Sequence, residues 1–65
     1  MPTIHYRGFE IDPVSDPLET GNWRLCAKED ATLFQIYPPD IDAACLDSAE
    51  TLQQAMKAID LALGG

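Results

Sequence analysis

The residues best suited to chemistry in this chain are two cysteines, Cys26 and Cys45, and one histidine, His5. A disulfide framework usually has more cysteines and forms in an oxidising compartment, so we expect two buried or half-buried thiols, with one disulfide as the alternative. Zinc needs about four ligands, and these three residues leave a site one short without a carboxylate. His5 has no serine or cysteine nearby in sequence to activate as a general base. The pattern therefore predicts neither a metal centre nor an activated nucleophile.

Carboxylates form two groups, one in residues 40–50 and one in residues 12–19. In the first group, residues 43–45 are Ala, Ala and Cys, where an EF-hand loop needs oxygen ligands or a glycine, so we expect a solvated acidic loop and a helix cap. In the second group, a proline-rich loop would not hold two carboxylates at the fixed spacing that separates the pKa values of a catalytic acid and base. The chain also has no glycine-rich phosphate loop and no nucleophile elbow. The sequence predicts a protein that is not an enzyme and binds no cofactor.

Length and charge restrict the remaining classes of function. The 65 residues suffice for one small domain, residues 1–65, and 46% hydrophobic residues argue against a disordered tail. Eleven acidic residues against four basic ones give a net charge of -7, which makes nucleic acid an unfavourable partner because phosphate binding requires cations. The same charge disfavours anionic membranes, and the sequence contains no apolar span or secretion signal. We therefore expect a cytoplasmic protein.

The elements that must position these residues begin with a strand predicted at residues 3–12. Ile4 and Tyr6 alternate on one face, whereas Phe9 and Ile11 alternate in the opposite phase. Gly8 lies where the phase changes, as a β-bulge would require. A straight strand with two partly apolar faces is the alternative.

Two further strands are predicted after a proline-rich surface loop at residues 13–22, in which proline excludes an interior strand. In residues 23–28, Trp23 and Leu25 alternate with polar residues, and we place both on the core face. A polar turn at 29–31 leads into residues 32–37, where Phe34 and Ile36 share a face. So short a turn predicts that these two strands pair antiparallel.

A C-terminal helix is predicted from an N-cap at Asp47, with Glu50 completing a capping box, to about Leu63. Gly64-Gly65 ends it. Its core-facing stripe spans an arc of about 100° and comprises Leu52, Ala55, Met56, Ile59 and Leu63. Leu61 lies about 180° from Leu52 and is expected to point away from the core.

The predicted fold class is therefore α+β, a three-stranded antiparallel sheet with one C-terminal helix on one face, in the order β-β-β-α. One helix leaves the other sheet face open. We expect that face to be the interaction surface. Its candidate residues are Arg7, Arg24, Cys26, Leu33 and Tyr37.

Three segments carry a family resemblance: residues 6–11 (Tyr-Arg-Gly-Phe-Glu-Ile), residues 21–23 (Gly-Asn-Trp), and residues 48–51 (Ser-Ala-Glu-Thr) leading to 58–60 (Ala-Ile-Asp). The chain resembles short bacterial β-β-β-α proteins and is similar in outline to HicB-like antitoxin domains and to arm-type DNA-binding domains of phage integrases. Of the HicB-like Pro-Asp-Leu-Pro-Gly motif, this chain has only the similar start Pro39-Asp40-Ile41. Integrase arms have a basic sheet that this chain lacks. The resemblance therefore transfers no functional residue.

Two hypotheses for function follow. The first is a non-enzymatic binding or accessory module that offers its open sheet face to a protein partner or to a second copy of itself. The alternative is a nucleic-acid-associated regulator, antitoxin-like or integrase-arm-like, or an acidic decoy for a DNA-binding protein.

Overall fold

The computed structural model describes residues 2–40 and 47–64, which form an antiparallel sheet and one C-terminal helix. The fold class is α+β, as predicted, but in these two described stretches the sheet has five strands rather than three. The elements are β1 (Ile4–Tyr6), β2 (Phe9–Ser15), β3 (Arg24–Leu25), β4 (Leu33–Tyr37), β5 (Asp47–Ala49) and α1 (Leu52–Ala62). No helix in the described residues is long and apolar enough to cross a membrane.

The predicted first strand is a β-hairpin. β1 pairs antiparallel with β2, with Tyr6 opposite Phe9, so only Arg7 and Gly8 connect them. Both connecting residues have positive φ, 52° and 87°, as a two-residue type I′ turn requires. The phase change at Gly8 therefore marks a reversal of the chain, and the predicted bulge is wrong.

β2 is the central strand, and it contains Pro13, contrary to the prediction that proline keeps residues 13–15 out of an interior strand. The carbonyl of Pro13 accepts a hydrogen bond from the Cys26 N–H at 3.0 Å. Since the nitrogen and carbonyl of one strand residue point to the same edge, the nitrogen of Pro13 faces away from β4. The missing N–H therefore costs the ladder between β2 and β4 no hydrogen bond.

Strand pairing differs from the expected pairing of neighbours along the chain. β4 forms at residues 33–37, within the predicted range, but it pairs with β2 and β5. The predicted strand 23–28 shortens to β3, which pairs with β2 through Val14↔Leu25 and Ser15↔Arg24. Because β4 occupies one edge of β2 along Glu10–Val14, β3 must share the other edge with β1. β3 is thus a peripheral strand.

The helix begins later than predicted. Residues 47–49 form β5, in which Ala49 lies opposite Phe34 and Ser48 opposite Gln35. Thr51 is the N-cap, because its Oγ1 accepts a hydrogen bond from the Gln54 N–H at 3.1 Å. The prediction of Asp47 as the cap is wrong. The acidic loop is predicted at residues 40–46, and all of it except Asp40 lies outside the described residues. Cys45 is among the residues that are not described.

The hydrophobic core lies between α1 and one sheet face. The buried members of this cluster are Phe9, Ile11, Phe34, Ile36, Ala55 and Ile59. Leu52 and Met56 of the predicted stripe pack against it, whereas Leu63 caps the helix C-terminus and is 46% exposed. Leu61 is 67% exposed, which confirms that it points away from the core.

Candidate functional site

The sheet face opposite α1 is the candidate site, and we call it the open face. The strand register arranges its residues in three rows across the sheet: His5, Glu10 and Tyr37; Asp12, Gln35 and Ser48; Leu25, Val14 and Leu33. Among the described residues, α1 is the only helix and it packs on the opposite face, so no described helix covers these rows. Strand positions hold them on a rigid, twisted surface.

The third row is an apolar patch outside the main core cluster. Val14 is 4% exposed because it lies between Leu25 of β3 and Leu33 of β4. Leu25 is 47% exposed, and so is Trp23, just before β3. The prediction that Trp23 and Leu25 belong to the core face is wrong. β3 pairs with β2 at the edge of the sheet, and this register places Leu25 on the same face as Leu33.

The first two rows are polar and acidic. The Oδ1 atom of Asp12 accepts a hydrogen bond from the Thr3 hydroxyl at 2.8 Å. His5 Nε2 lies 3.9 Å from Glu10 Oε1, and both of these side chains are mostly exposed. A cleft of about 430 Å³ lies beside this part of the face; its lining residues are Gly8, Glu10, Asp12, Tyr37, Pro38, Pro39 and Asp40. The open face is therefore acidic at one end and apolar at the other.

A second cleft continues the face at its apolar end. It has a volume of about 590 Å³ and is lined by Asp16, Pro17, Glu19, Gly21, Trp23 and Thr32. Thr32 donates its N–H to the Val14 carbonyl at 3.0 Å, which places this cleft next to the apolar row.

The loop that forms one wall of this second cleft is ordered by its own hydrogen bonds. The carboxylate of Asp16 accepts from the Thr20 N–H at 3.1 Å and from the Gly21 N–H at 2.7 Å. The Glu19 N–H donates to the Asp16 carbonyl at 3.0 Å. These hydrogen bonds fix the backbone of the loop that carries Glu19, which lines the same cleft as Trp23.

Arg7 is directed to the helix rather than to the open face. Its Nη1 atom lies 2.6 Å from Asp60 Oδ1 on α1, and the hydroxyl of Tyr6 donates to the same carboxylate at 3.1 Å. The hydrogen bond from Arg7 lowers the pKa of Asp60, while the hydrogen bond to Asp60 raises the pKa of Tyr6. This cluster fastens the β1–β2 hairpin to α1.

The other predicted interaction residues divide between the two sides of the sheet. Leu33 and Tyr37 lie on the open face. Arg24 lies opposite Ser15, and half-buried Cys26 continues that register opposite Pro13, so both belong to the helix side. Of the five predicted residues, Arg7, Arg24 and Cys26 therefore do not lie on the open face.

Sequence reasoning missed the acidic members of the open face, Glu10 and Asp12, and the buried Val14 between the leucines. These three residues alternate with Phe9, Ile11 and Pro13 in β2. Residues 9–14 alternate between the two faces without interruption, and this alternation could have placed Glu10, Asp12 and Val14 on the open face. The prediction of a single strand at residues 3–12, followed by a loop that starts at Pro13, does not use it.

Within residues 2–40 and 47–64, no three His, Cys, Asp or Glu side chains come together in a way that could hold a metal ion. Comparison with protein-family models, with curated proteins and with solved structures finds no match to this chain. The resemblance to HicB-like and integrase arm-type domains therefore stays a prediction.

Proposed function

We propose that this chain is a small non-enzymatic binding module that presents its open face to a protein partner. The observation that carries the proposal is the pair of large apolar side chains, Trp23 and Leu25, each 47% exposed, beside the row that buries Val14. Single exposed apolar residues are ordinary on a protein surface. Tryptophan is among the residues most enriched in binding hot spots, and Trp23 lines a preformed cleft with the half-exposed Leu25 nearby in the chain.

The size of the open face suits such a role. A standard interface buries about 800 Å² per partner. The whole chain has a solvent-accessible surface of 4565 Å², so a partner of that kind would cover roughly a sixth of it. The strands and the hydrogen-bonded loop are already formed, so little conformational entropy is lost on binding.

Nucleic acid, the alternative partner, is less well supported by the positions of the basic residues. Arg7 pairs with Asp60, and Arg24 lies on the helix side of the sheet. The strand positions of the open face carry Glu10 and Asp12, which would repel a phosphate backbone. An acidic surface is instead compatible with the decoy form of the alternative, in which a DNA-binding protein is itself the partner.

The proposal is tested with Leu25→Asp and a matched control, Leu61→Asp, which places the same change on an exposed helix position. Partners are captured on immobilised wild-type protein from an extract of the source cells, and each captured protein is then purified and titrated against the three forms. We expect binding to be lost with Leu25→Asp and retained with Leu61→Asp, with all three forms giving the same circular dichroism. Binding that survives Leu25→Asp contradicts the proposal.

The nucleic-acid alternative has its own measurement. At physiological salt we expect no mobility shift of random duplex DNA at protein concentrations below about 100 μM, the weak end of non-specific binding. A low-micromolar shift would move the function to that alternative.

A further inference from the structure

The charges on and around the open face select among possible protein partners. Glu10 and Asp12 occupy its strand positions, and Asp40 lines the neighbouring cleft. In the described part of the chain, none of the strand positions on this face is Lys or Arg. A complementary surface must therefore bring its own cations.

A second copy of this chain does not meet that requirement. In a two-fold dimer formed face to face, the axis lies in the plane between the two faces, and its two limiting directions are along the strands and across them. An axis along β2 sets Glu10 and Asp12 against the same carboxylates of the second copy. An axis across the strands sets Glu10 against the apolar row of Leu25 and Leu33, which removes a charge from water without a partner. A net charge of -7 on each copy adds further repulsion.

The second cleft offers a more specific site for one cation. Its lining residues include Trp23, which is 47% exposed, and the acidic residues Asp16 and Glu19. The carboxylate of Asp16 is occupied by hydrogen bonds within its loop. Glu19 is exposed and has no hydrogen bond from its side chain to another described residue. A planar guanidinium can stack on an indole and pair with a carboxylate at once, which an ammonium group does less well.

We infer that the partner presents a basic segment to the open face, with an arginine in the cleft between Trp23 and Glu19, apolar side chains on the row of Leu25 and Leu33, and a second cation near Glu10. This inference rests on the proposed function. The distance along β2 from Ser15, beside the start of β3, to Glu10 is about 16 Å at 3.3 Å per residue. An extended segment of about six residues spans it.

Trp23 is the only tryptophan in the chain, so its fluorescence reports directly on the cleft. The probe is a capped peptide of about six residues, the length that spans this distance, with an arginine at each end and leucines at inner positions. The comparison peptides replace both arginines with lysine, with glutamine or with glutamate. The protein forms are wild type, Glu19→Gln and Asp47→Asn. Asp47 is exposed and lies opposite Ile36, on the helix side of the sheet, and its variant has the same net charge as Glu19→Gln.

We expect the arginine peptide to change the Trp23 emission and to bind at least about tenfold more tightly than the glutamate peptide, with the lysine peptide between them. Glu19→Gln should weaken the arginine peptide by about two- to fivefold, the range for an exposed charge contact. Asp47→Asn should leave its affinity unchanged. Equal weakening by the two variants would show attraction to net charge alone and would overturn the assignment of the arginine to this cleft.

The remaining outcomes separate this inference from the proposed function. If the glutamine peptide binds as tightly as the arginine peptide and Leu25→Asp abolishes both, the basic partner is wrong while the open face remains the binding surface. If no peptide binds at millimolar concentration while the captured partner still depends on Leu25, the inference is again wrong and the proposed function stands. If sedimentation shows a dimer that Leu25→Asp dissociates, the occupant is a second copy and the basic segment is excluded.

Discussion

Removing three carbons from Ile59 tests the position of the core most directly. Ile59 of α1 has no exposed surface and contacts the cluster formed by β2 and β4. Ile59→Ala loses about 0.8 kcal/mol for each buried carbon, or roughly 2.4 kcal/mol, and the cavity left behind adds to this. We expect a loss of about 2.5–4 kcal/mol. A domain of this size has only about 3–10 kcal/mol of stability, so the variant should lose roughly a quarter of it or more.

The matched control is Leu61→Ala, which removes the same number of carbons two positions further along the helix. Leu61 is 67% exposed, so its truncation should change the free energy of unfolding by less than about 0.5 kcal/mol. A third variant, Ile59→Val, removes one buried carbon and should cost about 0.5–1.5 kcal/mol, which keeps the measurement possible if Ile59→Ala unfolds.

The assay is urea unfolding followed by far-ultraviolet circular dichroism, with the slope of the free energy against urea compared among the variants. Each kcal/mol corresponds to about 4–8 °C in Tm for a domain of this size. A cost below about 1 kcal/mol for Ile59→Ala, or equal costs for Ile59→Ala and Leu61→Ala, would refute the assignment of the helix face that packs on the sheet.

Three other perturbations test the local features on which the fold depends. Thr51→Ala should cost about 1 kcal/mol in urea unfolding, because Thr51 rather than Asp47 caps the helix; no change would contradict the helix start. Gly8→Ala should cost about 1–2 kcal/mol through its φ of 87° alone, since a Cβ there meets no atom within 4 Å, and a neutral result would contradict the type I′ turn. The pKa of Asp60 is lowered by Arg7, so the stability advantage of wild type over Asp60→Asn should be complete at neutral pH and disappear as the pH falls below the ordinary value of 3.8; an advantage that persists in acid would contradict the ion pair.

Elements with a strong local pattern could be predicted from the sequence. The β-rich run that places Phe34 and Ile36 on one face identified β4, and the spacing of Ala55 and Ile59 identified the buried side of α1. These predictions hold because a strand repeats every two residues and a helix every 3.6, so neighbours in sequence report which residues share a face. The acidic composition and the expectation of one uncovered sheet face likewise needed no coordinates.

Tertiary structure decided which strands pair and therefore which residues the open face carries. Leu25 alternates with polar neighbours as a core residue does, yet it is exposed because β3 pairs with β2 at the edge of the sheet. Asp47 and Thr51 are both residue types that favour a helix N-cap. Thr51 takes this position because Ser48 and Ala49 pair with β4, which leaves the helix to begin after them. Pro13 is tolerated in the central strand because its nitrogen faces the edge away from β4. Each outcome depends on hydrogen bonds between segments distant in sequence, and local periodicity contains no information about those partners.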